Sequence, residues 1–225
     1  MEGNIFSKKN KKKVKKTFLL IANGEVDCRQ FVEIDLDSVD TIVAADGGLL
    51  KALDYGIVPN VIIGDMDSIK PEQRREFPKS RFIYQPSQEL NDLEKALIFC
   101  REQKAQRLIV VGVSGERLDH SFNNLSVLAR YDKIFDIEIY DRYSRIFLVR
   151  SQFEYSGKTG QVISLIPMGK VEGITTAGLK YSLKNETLKF GAREGLSNVI
   201  IKNPVSIKIR SGLLLVFANR INSND

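Results

Sequence analysis

Short apolar runs along the first half of the chain alternate with segments of helical period. Such alternation predicts a mostly parallel, doubly wound sheet with helices on both faces. The runs expected to form strands are Thr17–Ala22, Thr41–Ala45, Val61–Ile63, Arg81–Tyr84, Arg107–Gly112, Ile134–Tyr140 and Ile146–Val149. Helices are expected from about Leu49 to Tyr55, from Pro71, from Asn91 to Lys104 and from Ser121 to Tyr131. In the third of these, Asn91 and Glu94 have the spacing of a capping box.

The pattern changes after about Ser144, where apolar runs recur between glycines and turn pairs with no helical period. The runs lie at 162–166, 171–176, 187–191, 198–202, 205–209 and 213–218. Short strands spaced in this way predict an antiparallel β-sandwich. The chain is therefore expected to hold an α/β domain at residues 17–143 and a β-sandwich domain at residues 144–225. A β-domain this small favours a partner surface, which makes a homodimer plausible.

Positive charge is concentrated at the N-terminus. The chain has 34 basic and 28 acidic residues, and seven lysines and one acid fall within residues 1–16. The other residues carry equal numbers of each sign, so the net charge of +6 belongs to this segment. A lysine run of this kind predicts a solvated, disordered arm, with non-specific binding to nucleic acid or an anionic surface as the alternative.

Several function classes are disfavoured by composition. Cys28 and Cys100 have neither metal spacing nor a disulfide framework, and Cys100 is expected in the core. A single histidine, His120, argues against zinc sites and against serine or cysteine protease chemistry. No apolar run approaches the roughly 20 residues that span a bilayer, which predicts a soluble, cytoplasmic protein.

Acidic residues follow the predicted strands or begin the helices. Asp65 and Asp67 come directly after the Val61 strand, and they would point the same way if the chain stayed extended. Asp46, Asp92 and Asp119 occupy comparable positions. The carboxyl ends of strands in an open α/β sheet share one edge, so these carboxylates are expected to converge there. Converging carboxylates suit Mg²⁺ bound to a polyphosphate.

Neighbouring residues fit the same picture. Gly47-Gly48 and Ser114-Gly115 would let the backbone pass close to phosphates, and Arg117 offers a permanent cation for them. Neither a Walker motif nor a dinucleotide-binding G-x-G-x-x-G is present. Each residue taken singly also has an ordinary structural explanation, such as a helix cap at Asp46 or a weak surface pair between Arg117 and Asp119.

Taken together, these motifs resemble the thiamine pyrophosphokinase family. The similarity rests on segments 45–48, 63–68, 91–97, 115–120, 178–183 and 195–198, in matching order over about residues 17–217. The resemblance implies a homodimer that uses ATP and Mg²⁺ to transfer a diphosphate to thiamine, with sites between subunits and no specific nucleic acid or membrane partner.

Site residues follow from the same resemblance. Catalytic and metal-binding roles are implied for Asp46, Asp65, Asp67 and Asp92. ATP contacts are implied for Asp46, Gly47, Ser114, Arg117, Asp119 and His120. Thiamine contacts are implied for Tyr181, Thr176, Ser197 and Asn198, with the aromatic face of Tyr181 suited to the cationic thiazolium.

Two departures from the family pattern and two alternative functions accompany this interpretation. Glu116 stands where the family usually has a second glycine, and the segment 87–92 lacks the family's lysine. One alternative is a diphosphokinase for another hydroxymethyl heterocycle, such as a pterin. The other is a non-enzymatic nucleotide- or nucleic-acid-binding protein that acts through the lysine arm.

Overall fold

The computed structural model describes residues 15–67, 69 and 74–221. Its first half contains six strands: β1 (Thr17–Ile21), β2 (Thr41–Ala45), β3 (Val61–Gly64), β4 (Arg81–Tyr84), β5 (Arg107–Val111) and β6 (Asp136–Tyr140). The α-helices whose bounds are described are α1 (Cys28–Val32), α2 (Gly48–Leu53), α3 (Asp92–Glu102) and α4 (Leu118–Tyr131). The predicted helix start at Pro71 lies outside the described residues. None of the described helices is long and apolar enough to cross a membrane.

The six strands pair in parallel in the order β6-β5-β1-β2-β3-β4. From β1 the chain builds outward through β4 and then returns to place β5 on the other side of β1. The sheet therefore has its topological switch point between β1 and β5, where open α/β sheets bind ligands.

Side chains of β1 alternate between the two faces of this sheet. Phe18 and Leu20 pack with α3 and α4, whereas Leu19 and Ile21 pack on the opposite face beside Ala52 of α2. This two-residue period is the pattern expected of a strand that is buried on both sides. The prediction of a doubly wound sheet is confirmed.

Between residues 144 and 221 the regular secondary structure consists of β-strands. They are β7 (Ser144–Val149), β8 (Gln152–Tyr155), β9 (Val162–Pro167), β10 (Lys170–Ala177), β11 (Glu186–Lys189), β12 (Gly195–Val199), β13 (Val205–Lys208) and β14 (Leu214–Asn219). A four-stranded sheet in the order β11-β10-β13-β8 packs against β9, β14 and β7, and the residues between the two layers form one apolar core. The predicted β-sandwich is confirmed, although β8 and the short helix α1 were not predicted.

One sheet runs through both halves of the molecule. Strand β7 pairs antiparallel with β6 and extends the parallel sheet through β14, β9 and β12, which makes ten strands in all. Ile146 and Leu215 belong to the same apolar cluster as α3 and α4 of the first half. The sandwich therefore shares one of its two layers with the α/β half.

Two further expectations concern helix α3. Asn91 caps α3, because its side chain accepts a hydrogen bond from the Glu94 backbone N–H at 2.8 Å. The expected return bond of a capping box is replaced by others, since the Glu94 carboxylate accepts from Arg130 (2.7 Å) and Tyr131 (3.3 Å) of α4. Cys100 is fully buried, as predicted.

The N-terminal segment enters the described structure at Lys15. The Lys15 ammonium pairs with Asp136 at 2.6 Å, and the Lys16 ammonium donates to the carbonyl of Gln103 at 2.8 Å. These contacts attach the last two residues of the predicted arm to the edge of the α/β half. Residues 1–14 lie outside the described residues.

Candidate functional site

Three carboxylates converge beyond the carboxyl ends of β2 and β3. One carboxylate oxygen from each of Asp46, Asp65 and Asp67 lies within 4.8 Å of the others. Asp46 is buried, Asp65 is half-buried and Asp67 is exposed. Three carboxylate oxygens at this spacing form the hard donor set that Mg²⁺ prefers. The group therefore fits a divalent cation on the chemistry of its ligands.

The local backbone explains how Asp46 reaches this position. Its φ of 41° lies in the left-handed region, and its backbone N–H donates to the carbonyl of Ile63 at 2.8 Å. A Cβ added at Gly64 would lie 2.6 Å from the Cβ of Asp46, so only glycine leaves room for this side chain. Gly47 serves a similar purpose, since a Cβ there would meet the side-chain amide of Asn23. The backbone at Gly47 therefore passes close to Asn23, in the turn after β1, whereas a close approach to phosphates had been predicted.

Asp65 and Asp67 come together by a route other than the expected one. Strand β3 ends at Gly64, and Met66 has a φ of 62°, so the chain does not stay extended through Asp67. Met66 turns its side chain into an apolar cluster with Ile62 and Leu49. The premise of an extended strand was wrong, although the convergence that it predicted is present.

Hydrogen bonds favour the charged form of Asp65. The backbone N–H of Asp67 donates to Asp65 Oδ1 at 3.3 Å, and Gln88 donates to Oδ2 at 3.4 Å. These bonds, the first above all, and the nearby charge of Lys95 lower the pKa of Asp65. The carboxylate is therefore ready to bind a cation at neutral pH.

A cavity of about 890 Å³ opens beside the three carboxylates, at the switch point between β1 and β5. Its walls come from the segments after β1 and β5 and from the first turns of α3 and α4. The lining includes Asn23, Gly24, Lys51, Asp65, Gln88, Asn91, Asp92, Lys95, Ser114, Gly115, Glu116, Arg117, Asp119, His120, Asn123 and Asn124. Asp65 belongs both to the carboxylate group and to this lining, so it joins the two parts of the site. The volume is in the range of ligand pockets.

Most of the predicted nucleotide residues line this cavity. Arg117 and Asp119 form an exposed pair at 2.6 Å, and the guanidinium lowers the pKa of the Asp119 carboxyl. His120 is exposed beside them. The hydroxyl of Ser114 donates to Asp141, and the backbone N–H of Gly115 donates to Ser121 at 3.1 Å. These two bonds fix the loop after β5 at the mouth of the cavity.

Asp92 lies in the cavity wall but outside the group of three carboxylates. Its Oδ1 accepts from the Lys95 ammonium at 2.9 Å, one turn further along α3. The structure thus brings together three of the four predicted metal-binding acids and places the fourth beside a lysine.

The predicted thiamine residues lie in the β-sandwich, away from the lining of the cavity. Tyr181 and Ser197 are exposed, whereas Thr176 and Asn198 are buried. Asn198 accepts from the backbone N–H of Tyr181 at 3.0 Å and donates to its carbonyl at 2.7 Å. Thr176 accepts from the Leu183 backbone at 2.9 Å. These two buried side chains therefore hold the loop that presents Tyr181.

Sequence reasoning missed Asn23, Gln88, Lys95 and Asn124 as lining residues. Asn23 follows β1 at the same sheet edge as the acids, a position that could have been noticed. Lys95 stands three residues after Asp92, the spacing of a helical ion pair. Gln88 and Asn124 carry no signal of this kind, because only the fold brings them to the cavity.

Comparisons with known proteins agree with this geometry. A family model described as "Thiamin pyrophosphokinase, catalytic domain" matches residues 33–140, and one described as "Thiamin pyrophosphokinase, vitamin B1 binding domain" matches residues 150–214. Thiamine pyrophosphokinase of Bacillus subtilis (strain 168) is 27% identical over 209 residues, which cover 89% of this chain and 97% of that protein. Thiamine pyrophosphokinase 1 of Oryza sativa subsp. japonica is 30% identical over 221 residues, covering 85% and 83%.

Solved structures show the same fold. The crystal structure of thiamine pyrophosphokinase from Bacillus subtilis superposes with a TM-score of 0.79 at 24% identity, covering 92% of this chain and 100% of that one. The order of motifs, the two matched family models and the shared architecture lead to one conclusion. The chain belongs to the thiamine pyrophosphokinase family.

Proposed function

We propose that this protein transfers a diphosphate group from ATP to the hydroxyl of thiamine, giving thiamine diphosphate and AMP. Membership of the family supports the reaction class. The observation that carries the proposal for this chain is the group of Asp46, Asp65 and Asp67 beside a cavity at the switch point of the sheet. A nucleotide whose phosphates face these acids would fit that arrangement.

Magnesium is part of the proposal. Asp46, Asp65 and Asp67 would hold it, and Asp92 would complete the acidic wall from the first turn of α3. When bound, Mg²⁺ neutralises charge on the phosphate oxygens and so favours attack at phosphorus. The pKa of Asp65 is already lowered, so this ligand needs no deprotonation at neutral pH.

The remaining cavity residues would bind the nucleotide. Arg117 is a cation at every physiological pH, and its fork suits phosphate or ribose oxygens. Asp119 and His120 stand in the first turn of α4 beside it. Ser114 lies in the loop after β5 and lines the cavity, and Gly47 shapes the turn that positions Asp46. Together these groups would orient ATP for in-line attack.

The bonds that change follow from the products. The thiamine hydroxyl oxygen forms a bond to the β-phosphorus of ATP and loses its proton. The bond between that phosphorus and the oxygen bridging to the α-phosphate breaks, and AMP leaves with this oxygen. The residues around the cavity contribute mainly by holding the two substrates in line and by countering charge.

Thiamine would bind against the β-sandwich. Tyr181 is 63% exposed and offers an aromatic face to a cationic thiazolium. Ser197 is exposed in the middle of β12, while Thr176 and Asn198 would support the loop that presents Tyr181. These residues lie outside the lining of the cavity of the same chain, which supports sites assembled between the subunits of a homodimer.

An exposed apolar surface favours such an assembly. Leu118 and Phe122 lie one turn apart on α4, and Phe190 of the β-sandwich contacts Phe122 with ring centroids 6.3 Å apart. All three side chains are at least half exposed. Apolar surface of this kind marks an interface.

We also propose a cytoplasmic location and domains at residues 17–143 and 144–225, after an arm at residues 1–16.

A coupled product assay tests the function directly. The full chain is incubated with ATP, Mg²⁺ and thiamine, and AMP and thiamine diphosphate are separated and quantified. Formation of both in equal amounts supports the proposal. Turnover with a hydroxymethyl pterin in place of thiamine would support the first alternative. No nucleotide consumption, with nucleic-acid binding that disappears on removal of residues 1–16, would support the second.

A further inference from the structure

Lys95 is the one lysine or arginine of the described residues that is buried, with 2% of its surface exposed. It lies near the start of α3, two residues from both Leu93 and Leu97, and therefore about 200° around the helix from these two core side chains. A buried ammonium is costly unless it is paired and hydrogen-bonded. An apolar side chain would suit a purely structural role at this position better, so the charge calls for another explanation.

The surroundings of Lys95 are acidic and open to the cavity. Its ammonium donates to Asp92 Oδ1 at 2.9 Å, and both residues line the cavity together with Asp65. An ammonium has three N–H donors, and the bond to Asp92 uses one of them. Lys95 therefore brings a compact positive charge with further donor capacity to the cavity that Asp65 of the carboxylate group also lines.

We propose that Lys95 binds the β- and γ-phosphates of ATP and holds the diphosphate while it is transferred. This inference rests on the proposed function for the identity of the ligand. The location supports it, since Lys95 lines the same cavity as Asp65, which belongs to the three-carboxylate group. Asp92 acts in this arrangement as a positioning residue that aims the ammonium. A lysine suits the task because it acts as a point charge on phosphate oxygens from a narrow, buried position.

The test separates the terminal phosphates from the rest of the nucleotide. Binding of AMP and of α,β-methylene-ATP is measured by calorimetry with Mg²⁺ present. In the second ligand a methylene group replaces the oxygen between the α- and β-phosphorus atoms, so the diphosphate cannot be transferred. The variants are Lys95→Met, which keeps the length of the side chain and removes its charge, and Lys95→Arg, which keeps the charge. Arg101→Met on the exposed face of the same helix is the matched control. Thermal unfolding of each variant shows that the fold is retained.

Lys95→Met is expected to weaken binding of the ATP analogue by about ten- to a hundredfold, the loss typical of a charged hydrogen bond. AMP binding should change by less than about twofold, because AMP has no terminal phosphates to contact. Lys95→Arg should recover part of the loss, and Arg101→Met should behave as the wild type. Equal losses for both nucleotides, or an unchanged affinity for the analogue, would overturn the assignment.

The outcome for Lys95 is independent of thiamine turnover. If the wild type binds the analogue but forms no thiamine diphosphate, the proposed function fails while the comparison of AMP with the analogue still decides the role of Lys95. If the wild type binds no analogue, both proposals are wrong.

Discussion

A methyl group added at Gly64 should disturb the metal site more than it disturbs the fold. The Cβ of an alanine there would lie 2.6 Å from Asp46 Cβ and 3.0 Å from Asp46 Oδ1, whereas ordinary contact begins at 3.4 Å. Asp46 must therefore move by about 0.8 Å or more, the difference between those contacts. Its backbone is held in the left-handed region and bonded to Ile63, so it has little room to adjust.

The expected consequence of Gly64→Ala is a larger loss in catalysis than in stability. Overpacking of this kind costs about 1–3 kcal/mol in the free energy of unfolding. A displacement of about 1 Å at a reacting centre can lower the rate about a hundredfold. We expect turnover to fall by about that factor, and the Mg²⁺ concentration that gives half-maximal activity to rise.

Gly56→Ala is the matched control. Gly56 follows α2 with a φ of +69°, and an added Cβ would meet nothing within 4 Å. The substitution should cost about 1–2 kcal/mol of stability through backbone strain and leave turnover at the wild-type level.

AMP formation is measured across a range of Mg²⁺ concentrations, and urea unfolding gives the stability of each variant. Wild-type turnover and wild-type Mg²⁺ dependence in a folded Gly64→Ala protein would refute the role of Asp46 in the site.

Three further outcomes are expected. Asp67→Asn should abolish turnover while thermal unfolding stays near that of the wild type, because this carboxylate is exposed; retained Mg²⁺-dependent activity would contradict the metal assignment. Tyr181→Ala should raise the KM for thiamine more than the KM for ATP in steady-state kinetics, and equal changes in both would mean that this ring serves only packing. Burial raises the pKa of the Cys100 thiol from 9.0 to about 12, so above pH 9 the unfolded state loses a proton that the native state keeps. The free energy of unfolding should then fall by about 1.4 kcal/mol per pH unit between pH 9 and 12. Urea unfolding measured across this pH range should show a smaller fall for Cys100→Ala than for the wild type.

The pattern of apolar residues was enough to predict most of the secondary structure and the order of the two halves. Strands such as β1 and β5 are buried on both faces, so their sequences are continuous apolar runs bounded by turns. The carboxyl ends of parallel strands must share one edge, and from this rule Asp46, Asp65, Asp67, Asp92 and Asp119 were predicted to converge. The first three do meet, whereas Asp92 and Asp119 lie in the cavity wall outside that group. Helix α1 escaped notice because its five residues are too few to show a period.

Tertiary structure decided the rest, because it depends on contacts between residues far apart in the chain. Strand β7 joins β6, so one sheet continues from the α/β half into the sandwich, which no local pattern reveals. The Glu94 carboxylate accepts hydrogen bonds from Arg130 and Tyr131, 36 and 37 residues away, and does not complete the cap of its own helix.

The detailed shape of the site is likewise a product of folding. Met66 is drawn into an apolar cluster, and the left-handed turn that this requires brings Asp67 back beside Asp65. Lys95 reads in the sequence as an ordinary helix residue, and only the packing of α3 on the sheet buries it at the wall of the cavity. Sequence determined which chemical groups arrive at this edge, because strand ends and helix starts are local features. Folding determined their distances and burial, because these depend on how the layers pack.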